Sequence, residues 1–213
     1  MEIQNTFEFV TKIRRSFLDT AKRDLIINAD FIKFEDKNHH DDLYTIFHKS
    51  DIKEYRYGIR WIRGAEFTIG REYQIFIRNH EDKVLKINFK SFYGFNKNVN
   101  HKKYNDILNA LWKHFFGSIV TTYINQFHNG EIFSIGNVEF TEDGITINDK
   151  AVFNKKQDKI VWKDLGTRDY HRYFALFSKE NAANINHCYY YKDEWNIGVL
   201  YSVVIGILKH KDF

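Results

Sequence analysis

One recurrence governs how this chain of 213 residues can fold: a run of strands closed by a helix, and then the same order again. Residues 113 positions apart match in character without a gap. Asp30 meets Asp143, Ile32 meets Ile145, Phe34 meets Ile147 and Phe47 meets Ile160. Asp51 meets Asp164, Ile52 meets Leu165 and Tyr57 meets Tyr170. A single offset that carries strands and turn together marks a repeated unit, because every residue keeps the face and turn position of its counterpart. Beyond Tyr57 the first half needs about 12 extra residues to stay in step, so that Tyr73 meets Phe174.

The elements come from periodicity. "FIKF", "YTIFH", "YQIFIR" and "VLKINF" in the first half alternate apolar and polar residues, as half-buried strands do. "VEF", "ITI", "KIVW", "YFALF" and "NHCYYY" do so in the second. Leu108, Leu111, Trp112, Phe115, Ile119 and Tyr123 recur in steps of three and four and predict a helix from about His101 to Phe127. Ile197, Leu200, Val204, Ile207 and Leu208 predict a second, from about Asp193 to Lys209. Its acidic start and basic end suit the helix dipole. Turns are expected at Asn129-Gly130 and at Gly144. The organisation expected is an N-terminal segment at 1–24, a first unit at 25–127 whose long helix also serves as the joint, and a second unit at 128–213. The fold class is α+β.

Composition narrows the setting. Aromatics are 17% and proline is absent, so strands can be built with large side chains and turns rest on Gly, Asn and Asp. Abundant Lys, Asn, Ile, Phe and Tyr with few Ala and Gly is the product of A- and T-rich codons and is read as a bacterial genome. One cysteine, Cys188, excludes an internal disulfide and a multi-cysteine zinc site. The longest apolar run, Ile197 to Leu208, falls short of the roughly 20 residues of a membrane span. A cytoplasmic protein is expected, with peripheral membrane contact compatible. Net charge is +4, carried by the first half: residues 1–128 hold 21 basic and 16 acidic groups, and 129–213 hold 11 and 12. Such an imbalance speaks of partners.

The second half carries a resemblance. Phe140, Thr141, Glu142, Asp143, Gly144 and Ile145, followed by Ile160, Trp162, Asp164 and Leu165 and a closing helix, resemble bacterial pleckstrin-homology-like (PH-like) domains of the YcxB-like kind. The match covers about residues 131–209. In the first half Phe31 stands in place of the glycine and Lys49 in place of the tryptophan, so there the assignment comes through the offset. The resemblance implies tandem PH-like units, each a bent antiparallel sheet or partly open barrel closed by a C-terminal helix. It also implies binding, of phospholipid head groups or of proteins, and brings no catalytic residues and no cofactor.

The candidate sites are few. "IVWKDLGTRDYHRYF" at 160–174 crowds polar groups, but the offset pairs it with "KSDIKEYRY" at 49–57. It is therefore read as sheet, with Asp51 and Asp164 starting a strand or binding backbone N–H groups at a turn. "NHHDD" at 38–42 has metal-ligand residue types without ligand spacing and is read as a turn, so no metal is expected. Cys188 is read as a buried structural thiol, with His187 facing away from it. "FEFVTKIRRSFLDTAKR" at 7–23 fits an amphipathic helix, packed on its own domain or lying on a membrane, with strand as the open alternative. The segment 55–72 is the candidate anion site: Arg56, Arg60, Arg63 and Arg71 with Trp61. Guanidinium groups suit phosphates, and arginines interleaved with aromatics suit single-stranded nucleic acid; a sheet edge defended by charge is the plain alternative. The function expected is a non-enzymatic module that engages an anionic ligand or acidic protein face through its first unit. The other reading is a protein-interaction or scaffold role in a bacterial system, with no lipid or nucleic-acid ligand.

Overall fold

The structure, a computed structural model, describes residues 8–16, 18–36, 43–148 and 157–210. Contacts divide the chain into two compact units, Met1–Gly117 and Ser118–Phe213. The sequence reading had placed the division at 127/128.

The first unit opens with β1 (Phe9–Ile13), β2 (Arg23–Ile27), β3 (Phe31–Glu35) and β4 (Tyr44–His48), an antiparallel meander in sequence order. A single 3-10 turn, Lys49–Asp51, leads into β5 (Ile52–Arg63), β6 (Thr68–Asn79) and β7 (Val84–Phe92), a second meander. Helix α1 (Lys97–Leu111) and a π-turn (Trp112–Phe116) follow. Alternation decides the faces: Leu25, Ile27, Ile32 and Phe34 are buried from the first sheet, and Tyr73, Ile75, Ile77, Leu85, Ile87 and Phe89 from the second. Tyr73 stacks on Phe89 with ring centroids 5.0 Å apart and meets Tyr104 of α1 at 5.4 Å, which seats the helix on the second sheet.

The second unit repeats the order. Helix α2 (Gly117–His128) begins at the boundary, and β8 (Phe133–Ile135), β9 (Val138–Phe140), β10 (Gly144–Asn148) and β11 (Gln157–Val161) form a four-stranded meander. A 3-10 turn, Trp162–Asp164, leads to the three-stranded meander β12 (Leu165–Asp169), β13 (Tyr173–Ser178) and β14 (Asn186–Tyr190), and α3 (Ile197–His210) closes the unit. Helix α2 packs within this unit: Phe127 meets Trp162 edge-on at 5.3 Å, and the Ile124 side chain lies over Gly206 of α3.

The agreement reaches individual hydrogen bonds. Lys49 N donates to Asp30 O at 2.8 Å, and Trp162 N to Asp143 O at 3.1 Å. His80 N donates to Asp51 O, and Lys179 N to Asp164 O. Ile32 pairs with Phe47 as Ile145 pairs with Ile160, and Leu25 with Phe34 as Val138 with Ile147. Each closing helix starts behind an asparagine in the left-handed region, Asn96 (φ 53°) or Asn196 (φ 57°). The excess of the first unit lies in one hairpin: β5 and β6 have 12 residues each, against 5 and 6 in β12 and β13.

Four expectations are corrected. The described part of 7–23 is strand and connection, not helix. Phe9 and Ile13 share a side at a spacing of four in either conformation, and Ile13 is buried through pairing with Arg23 of β2. Gly144 has no turn conformation of its own. It opens β10, where a Cβ would stand 2.2 Å from Ile160 O, so close strand approach is what demands glycine there. Trp112 is only half-buried, because the π-turn shifts the helix phase and hands the core positions to Phe115 and Phe116. The second helix begins at Ile197, with Asp193 and Glu194 in the turn before it.

Candidate anion site

The β5–β6 hairpin distributes the five candidate residues over both faces of its sheet. Cross-strand rows run Arg56–Phe76–Lys86, Arg60–Glu72–Lys90 and Trp61–Arg71–Ser91. Successive residues on a strand point to opposite sides, so Arg56 and Arg60 share one face while Trp61 and Arg71 share the other. Arg63 is exposed and pairs with Thr68 beyond a register shift at the end of the hairpin. The structure does not gather these residues into one site.

Their partners are largely internal. The Arg60 guanidinium donates to Glu72 Oε2 from Nε at 2.8 Å and from Nη2 at 2.6 Å. The Glu72 side chain is 5% exposed and also accepts from Gln74 Nε2 at 2.9 Å and Asn88 Nδ2 at 3.2 Å. The Arg71 guanidinium lies 4.4 Å over the Trp61 ring, and that of Arg56 lies 5.2 Å over Phe76. A charge held this way stiffens a twisted hairpin.

A different group of cations converges in the same unit. A cavity of about 690 Å³ opens between the β1–β2 connection, the end of β7 and the start of α1. Arg14 and Lys22 line it from the connection, Lys90 from β7 and Lys103 from α1, and among the described residues no carboxylate lines it, although the Lys90 ammonium pairs with Glu72 at 3.7 Å. Arg14 and Lys22 are exposed, and among the described residues neither makes an ion pair. Lys90 N donates to Arg15 O at 2.9 Å, which binds the connection to β7. Lys103 Nζ donates to Lys12 O at 2.7 Å. Burial, helped by the charges of Arg14 and Lys22, holds the Lys103 ammonium below the usual lysine range. Arg14 and Lys22 thus disfavour the Lys103 charge, which a bound anion would relieve, while the Lys90 ammonium already has the buried Glu72 carboxylate.

The rim of the cavity is apolar. Tyr93, Phe95 and Val99 line it while remaining 70%, 75% and 62% exposed. Tyr93 holds a left-handed backbone, φ 49°, followed by Gly94 at φ 78°. That conformation is costly for a residue with a large side chain. Single-sequence reading missed this site because its cations come from positions 14, 22, 90 and 103, and only the fold brings them together. The available signal was the basic excess of the first half.

The remaining candidates take ordinary places. Asp51 Oδ2 accepts from His48 N at 2.9 Å, while Asp164 accepts from Ser178 Oγ at 2.6 Å and from Glu180 N at 2.8 Å. Both aspartates close a 3-10 turn before a strand, as the sequence reading had it. In the second half of 160–174, Asp169 Oδ1 accepts from His171 N at the β12–β13 turn. Cys188 is exposed, contrary to expectation: on β14 it alternates with the buried Tyr189. His187 faces away from it and bonds Asp158 at 2.9 Å. "NHHDD" lies outside the described residues. Among the described residues no three His, Cys, Asp or Glu side chains gather as a metal site, and no helix is long and apolar enough to cross a membrane. Comparisons with protein-family models, with curated proteins and with solved structures find no match.

Proposed function

We propose that this chain is a non-enzymatic binding protein built of two tandem PH-like units, of which the first engages an anionic partner. The PH-like assignment, and with it the YcxB-like kinship, is supported by the element order, while a bacterial, cytoplasmic setting rests on the composition and the single cysteine. Each unit has a four-stranded meander, a 3-10 turn, a three-stranded meander and a helix. The observation that carries the function is the cavity at which Arg14, Lys22 and Lys103 meet with no carboxylate in its lining among the described residues. This moves the anion site away from Arg56, Arg60, Arg71 and Trp61, whose charges and rings already hold the hairpin, and from Arg63, which stands exposed at its end.

The test is retention on a phosphate-bearing matrix. The parent chain binds at low salt and elutes as salt rises, since exposed charges are screened over about 8 Å at physiological ionic strength. The Arg14→Gln, Lys22→Gln variant elutes earlier. Passage of the parent through the matrix at low salt, or equal elution of parent and variant, would defeat the proposal.

A second reading has its own observation. On the second unit the exposed Tyr170 and Tyr190 flank the half-buried Tyr173 in a row, with centroids 4.7 and 5.1 Å apart and Arg168 over Tyr170. Exposed tyrosines beside an arginine suit a protein partner, so a scaffold role favours this face. Loss of a partner from the native cell on Tyr170→Ala, Tyr190→Ala, with matrix binding unchanged, would support it.

A further inference from the structure

We infer that the cavity between the β1–β2 connection and the start of α1 takes an amphipathic phosphate. Its phosphate groups lie among Arg14, Lys22 and Lys103, and its apolar or ring-bearing part covers Tyr93, Phe95 and Val99. The inference rests on the anion-binding reading above and adds what the anion must be joined to.

Charge sets the head group. Arg14, Lys22 and Lys103 stand at one cavity with no carboxylate in its lining among the described residues, Lys90 being paired with Glu72, and three such charges call for more than one negative charge. A phosphate dianion or a diphosphate meets the requirement, with Ser16 and Ser91 in the lining as further hydrogen-bond donors. The helix dipole acts in the same direction, because α1 turns its N-terminal end to the cavity through Asn96 and Asn100.

Size and rim set the rest. About 690 Å³ lies within the roughly 300–1,000 Å³ of small-ligand sites and is far more than one phosphate fills. An inorganic ion would leave Tyr93, Phe95 and Val99 as exposed as they are now. An apolar tail or flat ring would cover them, and the left-handed backbone of Tyr93 holds that ring ready at the rim. Two sources share this chemistry: a soluble nucleotide, with base and phosphates, and an anionic lipid, with phosphate and acyl chain.

The experiment titrates the full chain with pyrophosphate, with adenosine triphosphate and with phosphatidylcholine vesicles with and without phosphatidic acid. The nucleotide or the phosphatidic acid vesicle is expected to bind about tenfold or more tightly than pyrophosphate, the ratio that one covered ring supplies. Which of the two does so names the source. Tyr93→Ser, Phe95→Ser should abolish that advantage and leave pyrophosphate binding as it was, which also shows that the variant is folded. Arg14→Gln, Lys22→Gln should weaken every ligand. Equal affinity for pyrophosphate and both amphipathic probes, or an advantage that survives the loss of both rings, overturns this inference and leaves the anion-binding reading standing. Binding of none of the probes overturns both.

Discussion

Glu72 decides what the arginines of the long hairpin can do. Its carboxylate is buried and needs the donors that surround it, so Arg60 is held at the sheet surface. Arg60→Ala should destabilise the chain by about 1.5–3 kcal/mol, the range for a hydrogen bond to a charged group, measured by urea unfolding. Arg63→Ala, at an exposed position, should stay within about 0.5 kcal/mol. Asp164 gives a pH signature. The Ser178 hydroxyl, and then the backbone N–H groups of Glu180 and Lys179, hold its carboxyl below the usual aspartate range. Because the folded value is depressed, the stability it contributes is present above the unfolded value of about 3.9 and is lost as pH falls through the folded one. Asp164→Asn should therefore be less stable than the parent at neutral pH, with the gap closing as pH drops below about 4. An unchanged gap across that range would place the stabilisation elsewhere.

Among the elements, the strands of each four-stranded sheet depend on close approach and on buried apolar faces. Gly144→Ala would drive a Cβ into the backbone of the paired strand, at Ile160 O and Val161 Cα, neither of which can turn aside. A loss of about 1–3 kcal/mol or more is expected, read by denaturant unfolding. In α3, Leu200 is fully buried, and Leu200→Ala should cost about 2–5 kcal/mol. These elements were legible because their signals are local. The run from β3 to β5 keeps one offset with its counterpart, so pairing and turn residues align on inspection. The stripe of α3 is nearly all apolar at helical spacing. What was not legible lacked such a signal. In β1 the spacing of Phe9 and Ile13 suits helix and strand alike. The π-turn displaces Trp112 without any residue type that announces it. The cavity draws its cations from the β1–β2 connection and from α1, far apart in sequence, whereas reading along the chain favoured the arginines that are neighbours in sequence, which alternation sends to opposite faces.

At the scale of the molecule, each unit holds its own buried core. A chain of residues 118–213 alone should unfold in one cooperative transition, with circular dichroism and tryptophan fluorescence changing together. Two separated transitions, or none, would show that this half depends on the other. The matched registers also bear on how the protein is made. Two stretches that pair by the same pattern in one polypeptide invite exchange of strands during synthesis, the usual failure of duplicated folds. Two features of this chain guard against it. The ribosome releases the first stretch while the second is still being added at about 5–20 residues per second, so early strands can close before their counterparts exist. Divergence does the rest. Lys49 stands where Trp162 stands, and a 12-residue arm where a 5-residue one stands, so a strand that strayed into the other meander would meet the wrong length and an ill-fitting core.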